Sequence, residues 1–223
     1  MSHRQTQCGG PAALARPAPL WAILAAVVLV AGCGKSPPTR FYSLTAIPAA
    51  VEGAGAPPAN AGACPSLGIG PVEFPAYLDR SQIVTTGQGT VMHLAEFDQW
   101  IEPVRNNFER ILMENLSGMV CAGPLVSSPW PSGMRPERQV TIQVRRFDGT
   151  LGGQAVLRAD WAVLDARGEV MLWRSSQLTE AVQGPEYAAL ADAQSRLAAA
   201  LARDIAAGLA EAAGLHKPSR RVP

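Results

Sequence analysis

Six side chains able to carry acid–base or ionic chemistry crowd one stretch, PAYLDRSQIVTTGQGTVMHLAEFDQW, from Pro75 to Trp100. They are Tyr77, Asp79, Arg80, His93, Glu96 and Asp98. A histidine beside carboxylates can act as a general base with its orienting partner, and an arginine can clamp an anion. The spacing argues against a catalytic set. His93 sits between Met92 and Leu94 on a strand-like segment, so it points away from both and reads as a solvated or satisfied strand histidine. Asp79 and Arg80 are neighbours and face opposite ways if extended. A turn there lets Asp79 accept backbone N–H bonds while Arg80 reaches Glu96 or Asp98. Tyr77 and Trp100 are aromatic anchors that suit either a core or a partner. The other two histidines, His3 and His216, lie near the chain ends. There is no nucleophile elbow, no paired-histidine metal motif and no phosphate loop, and Gly87-Gln88-Gly89 is too short to be one. No catalytic residue, metal or cofactor is expected.

The elements that must position these residues follow from hydrophobic period. FYSLTAI, Phe41 to Ile47, reads as a strand, and a second runs near Leu67–Phe74, bent or at an edge because of Pro71 and Pro75. SQIVTT and TVMHLAEF flank the Gly87–Gly89 turn as a hairpin. An amphipathic helix spans roughly Asp98 to Val120, with Asp98 as N-cap or a regular start at Pro103. Val104, Phe108, Ile111, Leu112, Asn115, Leu116 and Met119 form its stripe. Glu102 supports its dipole. PLVSSPWPSGMRPE reads as a proline-broken loop. Three strands follow: RQVTIQVRRF, QAVLRADWAVLD and VMLWRSSQLTEAV, joined through DGTLGG and the tight turn DARGE. A long helix from Pro185 to about Ala213 closes the chain, with Gly214 past its end. The expected fold is α+β: a single mainly antiparallel sheet with two principal helices packed on one face.

The 223 residues, 48% hydrophobic and 17% charged, suit one globular domain behind a short leader. A net charge of +1 offers no basic patch for nucleic acid. The uncharged run Leu20 to Ala31 is too short to span a membrane and suits a signal peptide behind Arg4 and Arg16. Leu29-Val30-Ala31-Gly32 before Cys33 matches a lipoprotein cleavage site, with the Cys33 thiol as the acylated nucleophile. Cleavage there leaves 17 basic and 18 acidic residues, a net charge of −1. Multiple acyl chains make the anchor effectively permanent. Of the four cysteines, Cys8 leaves with the leader and Cys33 is acylated. Cys64 and Cys121 remain as a disulfide candidate in an oxidising compartment, the other reading being two unpaired buried thiols. The organisation expected is 1–32 signal peptide, 33–66 lipidated tether with one early strand and a flexible loop, 67–216 compact domain, and 217–223 tail.

The motifs PPTRFYSL, LGIGPVEFPAYLDRSQIVT, LAEFDQWIEPV and ILMENLS together resemble the PqiC family, the ABC-type transport auxiliary lipoproteins. The resemblance spans nearly the whole mature chain. It implies a non-enzymatic outer-membrane lipoprotein facing the periplasm, part of an intermembrane lipid-transport system. The partner it implies is a tunnel-forming MCE-domain protein, and further copies of the chain are left open as a second partner. Gly34 after Cys33, rather than Asp, agrees with the outer membrane. Partner contact is assigned to Tyr77, Asp79, Arg80, Gln82 and Trp100. The chain departs from the family at Thr86, where a basic residue is common. Two other readings are a membrane-tethered lipid carrier, which needs an apolar cavity between sheet and helices, and a tethered hydrolase, which needs a titratable cluster in a cleft.

Overall fold

The computed structural model describes residues 37–47 and 64–215. The leader, Cys33, the Pro48–Ala63 loop, His216 and the tail lie outside the described residues. Eight strands and two helices follow the order β1 (Arg40–Tyr42), β2 (Leu67–Glu73), β3 (Gln82–Thr86), β4 (Met92–Trp100), α1 (Val104–Ser117), β5 (Leu125–Ser127), β6 (Arg138–Gly149), β7 (Gln154–Asp165), β8 (Val170–Ala181) and α2 (Tyr187–Leu215). A single 3-10 turn, Ala76–Leu78, links β2 to β3.

All eight strands join one sheet, and that sheet is mixed. The expectation of a mainly antiparallel sheet is corrected. The long ladders β6–β7–β8 and the β3–β4 hairpin are antiparallel, but β1–β4, β2–β5, β2–β6 and β3–β6 are parallel. The reason is that β6 is long enough to share one edge. β2 takes Arg138–Gln143, and β3 reaches it only through Thr85 opposite Gly149, while β7 runs along the whole opposite edge. The two-helix layer is as expected: α2 lies along β6, β7 and β8, α1 lies against β2 and β5, and the helices touch each other. Phe74, Phe108 and Phe147 meet edge to face with centroids 5.2–6.0 Å apart, at the centre of this layer.

Strict alternation along β6 would carry Val140, Ile142 and Val144 into the core and Arg146 and Asp148 with them. A register shift between Val144 and Arg146 reverses the phase. Phe147 then enters the core, while Arg146 and Asp148 turn to the face without helices. The same device acts in β4: Leu94 pairs with Val84, but after a shift Gln99 pairs with Gln82. Ala95 and Trp100 are therefore both buried despite opposite parity.

Several boundaries differ from the periodicity. α1 starts at Val104, capped by Pro103, so Asp98 is not its N-cap and belongs to β4. α2 runs on to Leu215, so Gly214 lies inside its last turn. β2 is interior at its start, between β5 and β6, with its bend at Gly70-Pro71. β5 was hidden by prolines in the loop around Trp130. The FYSLTAI segment is a strand only as far as Tyr42. Beyond that, its backbone N–H groups are taken by helix side chains. Leu44 donates to Asn107 Oδ1 at 3.0 Å, Thr45 to Ser195 Oγ at 3.1 Å, and Ile47 to Asn115 Oδ1 at 2.8 Å.

Candidate functional site

The Pro75–Trp100 segment spans one end of the sheet, and its charged residues divide into two groups. The first is held internally. Asp98 is buried and accepts from Arg40 Nε at 2.8 Å, from Arg40 Nη2 at 3.1 Å and from the Tyr42 hydroxyl at 2.6 Å. The Arg40 guanidinium is stabilised in its charged form by that carboxylate. Burial first, and then the bond to Asp98, push the Tyr42 hydroxyl up to about 12. Tyr77 is half-buried, and its hydroxyl donates to Asp148 Oδ2 at 2.8 Å. Asp148 is only 2% exposed and also accepts Thr86 Oγ1 and Arg146 Nε, each at 2.8 Å. Burial and the Asp148 bond push the Tyr77 hydroxyl upward. Each of these two carboxylates accepts three hydrogen bonds, so both oxygens of each are occupied within the fold.

The second group faces solvent. Asp79 pairs with Arg105 of α1 and not with backbone N–H groups, which corrects the turn reading. Arg80 is exposed and pairs with neither Glu96 nor Asp98, because Asp98 is taken by Arg40. His93 is exposed and its ring lies against Gly87, whose missing Cβ makes room for it. Glu102 accepts from Asn107 at 2.9 Å and Arg110 at 3.1 Å, just ahead of α1. Of the two aromatic anchors left open by the sequence, Trp100 is 5% exposed and packs in the core.

The outer, helix-free face begins where these residues end. Register places Gln82 of β3, Gln99 of β4 and Phe41 of β1 in one row. Phe41 is 58% exposed, and Ile101, which follows Trp100, is 60% exposed. The Ile101 N–H donates to the Tyr42 carbonyl at 2.9 Å, so the two residues are held at the same edge. β1 covers only Asp98–Trp100 of β4, and Met92–Phe97 have no strand on that side among the described residues. Sequence reasoning missed Phe41 and Ile101, which look like ordinary strand hydrophobes until the register is known. It also missed Arg146, Asp148 and Arg158.

Away from this face, Cys64 and Cys121 form a disulfide with Cα atoms 5.5 Å apart. It borders an apolar pocket of about 290 Å³ lined by Leu67, Met119, Val120, Ala206 and Leu209. Among the described residues, no group of three His, Cys, Asp or Glu side chains is placed to hold a metal ion. Among the same residues, no helix is long and apolar enough to cross a membrane.

Residues 42–206 match the family model of the ABC-type transport auxiliary lipoprotein component. No curated protein matches the chain. Among the solved structures that share its fold, two illustrate the match. One is the crystal structure of an uncharacterised protein, 18% identical, with a TM-score of 0.62, covering 78% of this chain and 99% of that one. The other is a Xanthomonas campestris protein, 15% identical, with a TM-score of 0.61, covering 79% of this chain and 98% of that one. With its match running from the edge strand β1 into the closing helix, the chain belongs to the family of ABC-type transport auxiliary lipoprotein components.

Proposed function

We propose that this protein is a non-enzymatic subunit of an intermembrane phospholipid transport system. Its acyl chains on Cys33 hold it in the outer membrane, facing the periplasm. There it docks a periplasm-spanning MCE-domain partner and supports envelope integrity. The observation that carries the docking role is the exposed row at the β1–β4 edge, Phe41 and Ile101 beside Gln82 and Gln99. Two large apolar side chains about 60% exposed at one strand edge suit the core of a docking patch. From Cys33 to Arg40 the chain reaches at most about 25 Å, at ~3.3–3.6 Å per residue.

The saturated carboxylates Asp98 and Asp148 support the non-enzymatic reading over a hydrolase. The lipid-carrier reading draws less support. The apolar pocket of about 290 Å³ between α2 and the disulfide lies at the bottom of the ~300–1,000 Å³ range of ligand pockets. It suits one small apolar group rather than two acyl chains.

The test is affinity capture of the MCE-domain partner by the full-length lipoprotein. Phe41→Glu with Ile101→Glu is expected to reduce capture at least tenfold with an unchanged melting temperature. Undiminished capture by the folded double variant sinks the assignment of this edge.

A further inference from the structure

Beside the docking edge, the outer face holds an open groove of about 650 Å³. Its floor is Val84, Met92 and Leu94, and its rim carries Arg80, Arg145, Arg146 and Arg158, against the single carboxylate of Asp148. Two of the guanidiniums are already engaged. Arg146 binds Asp148 at 2.8 Å, and Arg145 binds Asp160 at 2.9 Å. Arg80 and Arg158 have no acidic partner among the described residues.

The register makes this arrangement costly without a ligand. Arg146 and Arg158 stand directly opposite each other on antiparallel β6 and β7. Like charges in that relation repel. Asp148 neutralises one of them, and Tyr77 and Thr86 hold Asp148 in place. The Arg158 charge is left uncompensated beside an apolar floor in which Leu94 is 52% exposed. Guanidiniums over exposed aliphatic carbon match a ligand with an anionic head and an apolar body. Arginine forks suit a phosphate in particular.

We infer that this groove binds the phosphate headgroup of an anionic phospholipid, with the phosphate between Arg80 and Arg158 and the first part of an acyl chain over Val84, Met92 and Leu94. The site holds an emerging headgroup at the surface and does not enclose the lipid. This rests on the lipid-transport reading for its choice of ligand. It does not rest on the docking edge, which lies at Phe41 and Ile101.

The experiment is native mass spectrometry of the full-length chain in maltoside detergent, with short-chain phosphatidylglycerol competing against phosphatidylcholine. Inorganic phosphate is run as a separate probe. The wild type is expected to prefer phosphatidylglycerol at least tenfold. Arg80→Ala with Arg158→Ala should remove that preference, Arg158→Lys should restore part of it, and Leu94→Ser should weaken the lipid several-fold while leaving inorganic phosphate unchanged. Both arginines are exposed, so the variants are expected to fold. Equal binding of the two lipids, or no change in the double arginine variant, overturns the proposal. Inorganic phosphate bound as tightly as the lipid reduces the groove to an anion site and overturns it too. So does loss of partner capture in the double arginine variant with lipid binding intact, which marks the groove as a dock for an acidic protein segment. Normal capture with lost lipid binding separates this site from the docking edge.

Discussion

At the residue scale, the groups that first suggest chemistry are mostly spent on holding the fold. The tyrosines show this best. All three in the chain, Tyr42, Tyr77 and Tyr187, have hydroxyls pushed up by burial, and the first two also donate to buried carboxylates. An unfolded tyrosine loses its proton near pH 10. Raised values in the folded state mean that the native protein holds the proton more tightly. The resulting stabilisation is fully present below pH ~10 and is lost as pH rises through the folded values. In the phenolate absorbance of the native protein, Tyr42 should therefore titrate near pH 12 rather than 10, with Tyr77 also shifted upward. A native midpoint at 10 for either residue contradicts the two carboxylate clusters.

At the element scale, the polar residues inside helix stripes are the informative ones. Asn107 is fully buried on α1, accepts the Leu44 N–H, and donates to Ser43 and Glu102. It pins the chain after β1 across the helix layer, where a strand ladder would otherwise be needed. Asn107→Ala leaves a buried N–H without a partner and should cost about 3 kcal/mol, read as a lower urea midpoint at constant slope. A loss below about 1 kcal/mol would mean that water or a shifted backbone takes over the bond. Periodicity made most of the elements legible: the α1 stripe from Val104 to Leu116, the Gly87–Gly89 hairpin and the β6–β8 meander all stand where it places them. Strand pairing across long separations was not legible, because parallel partners such as β2 and β6 share no local signal. The register shifts in β4 and β6 were also invisible, since Arg145-Arg146 reads as plain alternation until Phe147 is seen in the core. The groove was missed for that reason. Its arginines come from β6, β7 and the turn before β3, and only the shift turns Arg146 to the outer face.

At the scale of the whole molecule, the sheet has two unlike faces. One is sealed by α1 and α2, with Trp161 packed against Gly208 and the Cys64–Cys121 disulfide tying the far corner. The other carries no α-helix, only partial cover from Tyr77 and Trp130, and it holds both the exposed Phe41–Ile101 edge and the arginine groove. In this account the helices set the fold while the helix-free face meets the transport partner. The most direct test is photo-crosslinking in intact cells, with a crosslinking residue placed at Ile101 on the helix-free face or at Arg203, an exposed position on α2. A covalent adduct with the MCE-domain partner is expected from position 101 and none from position 203. An adduct from 203 alone, or equal adducts from both, would contradict docking through the helix-free face.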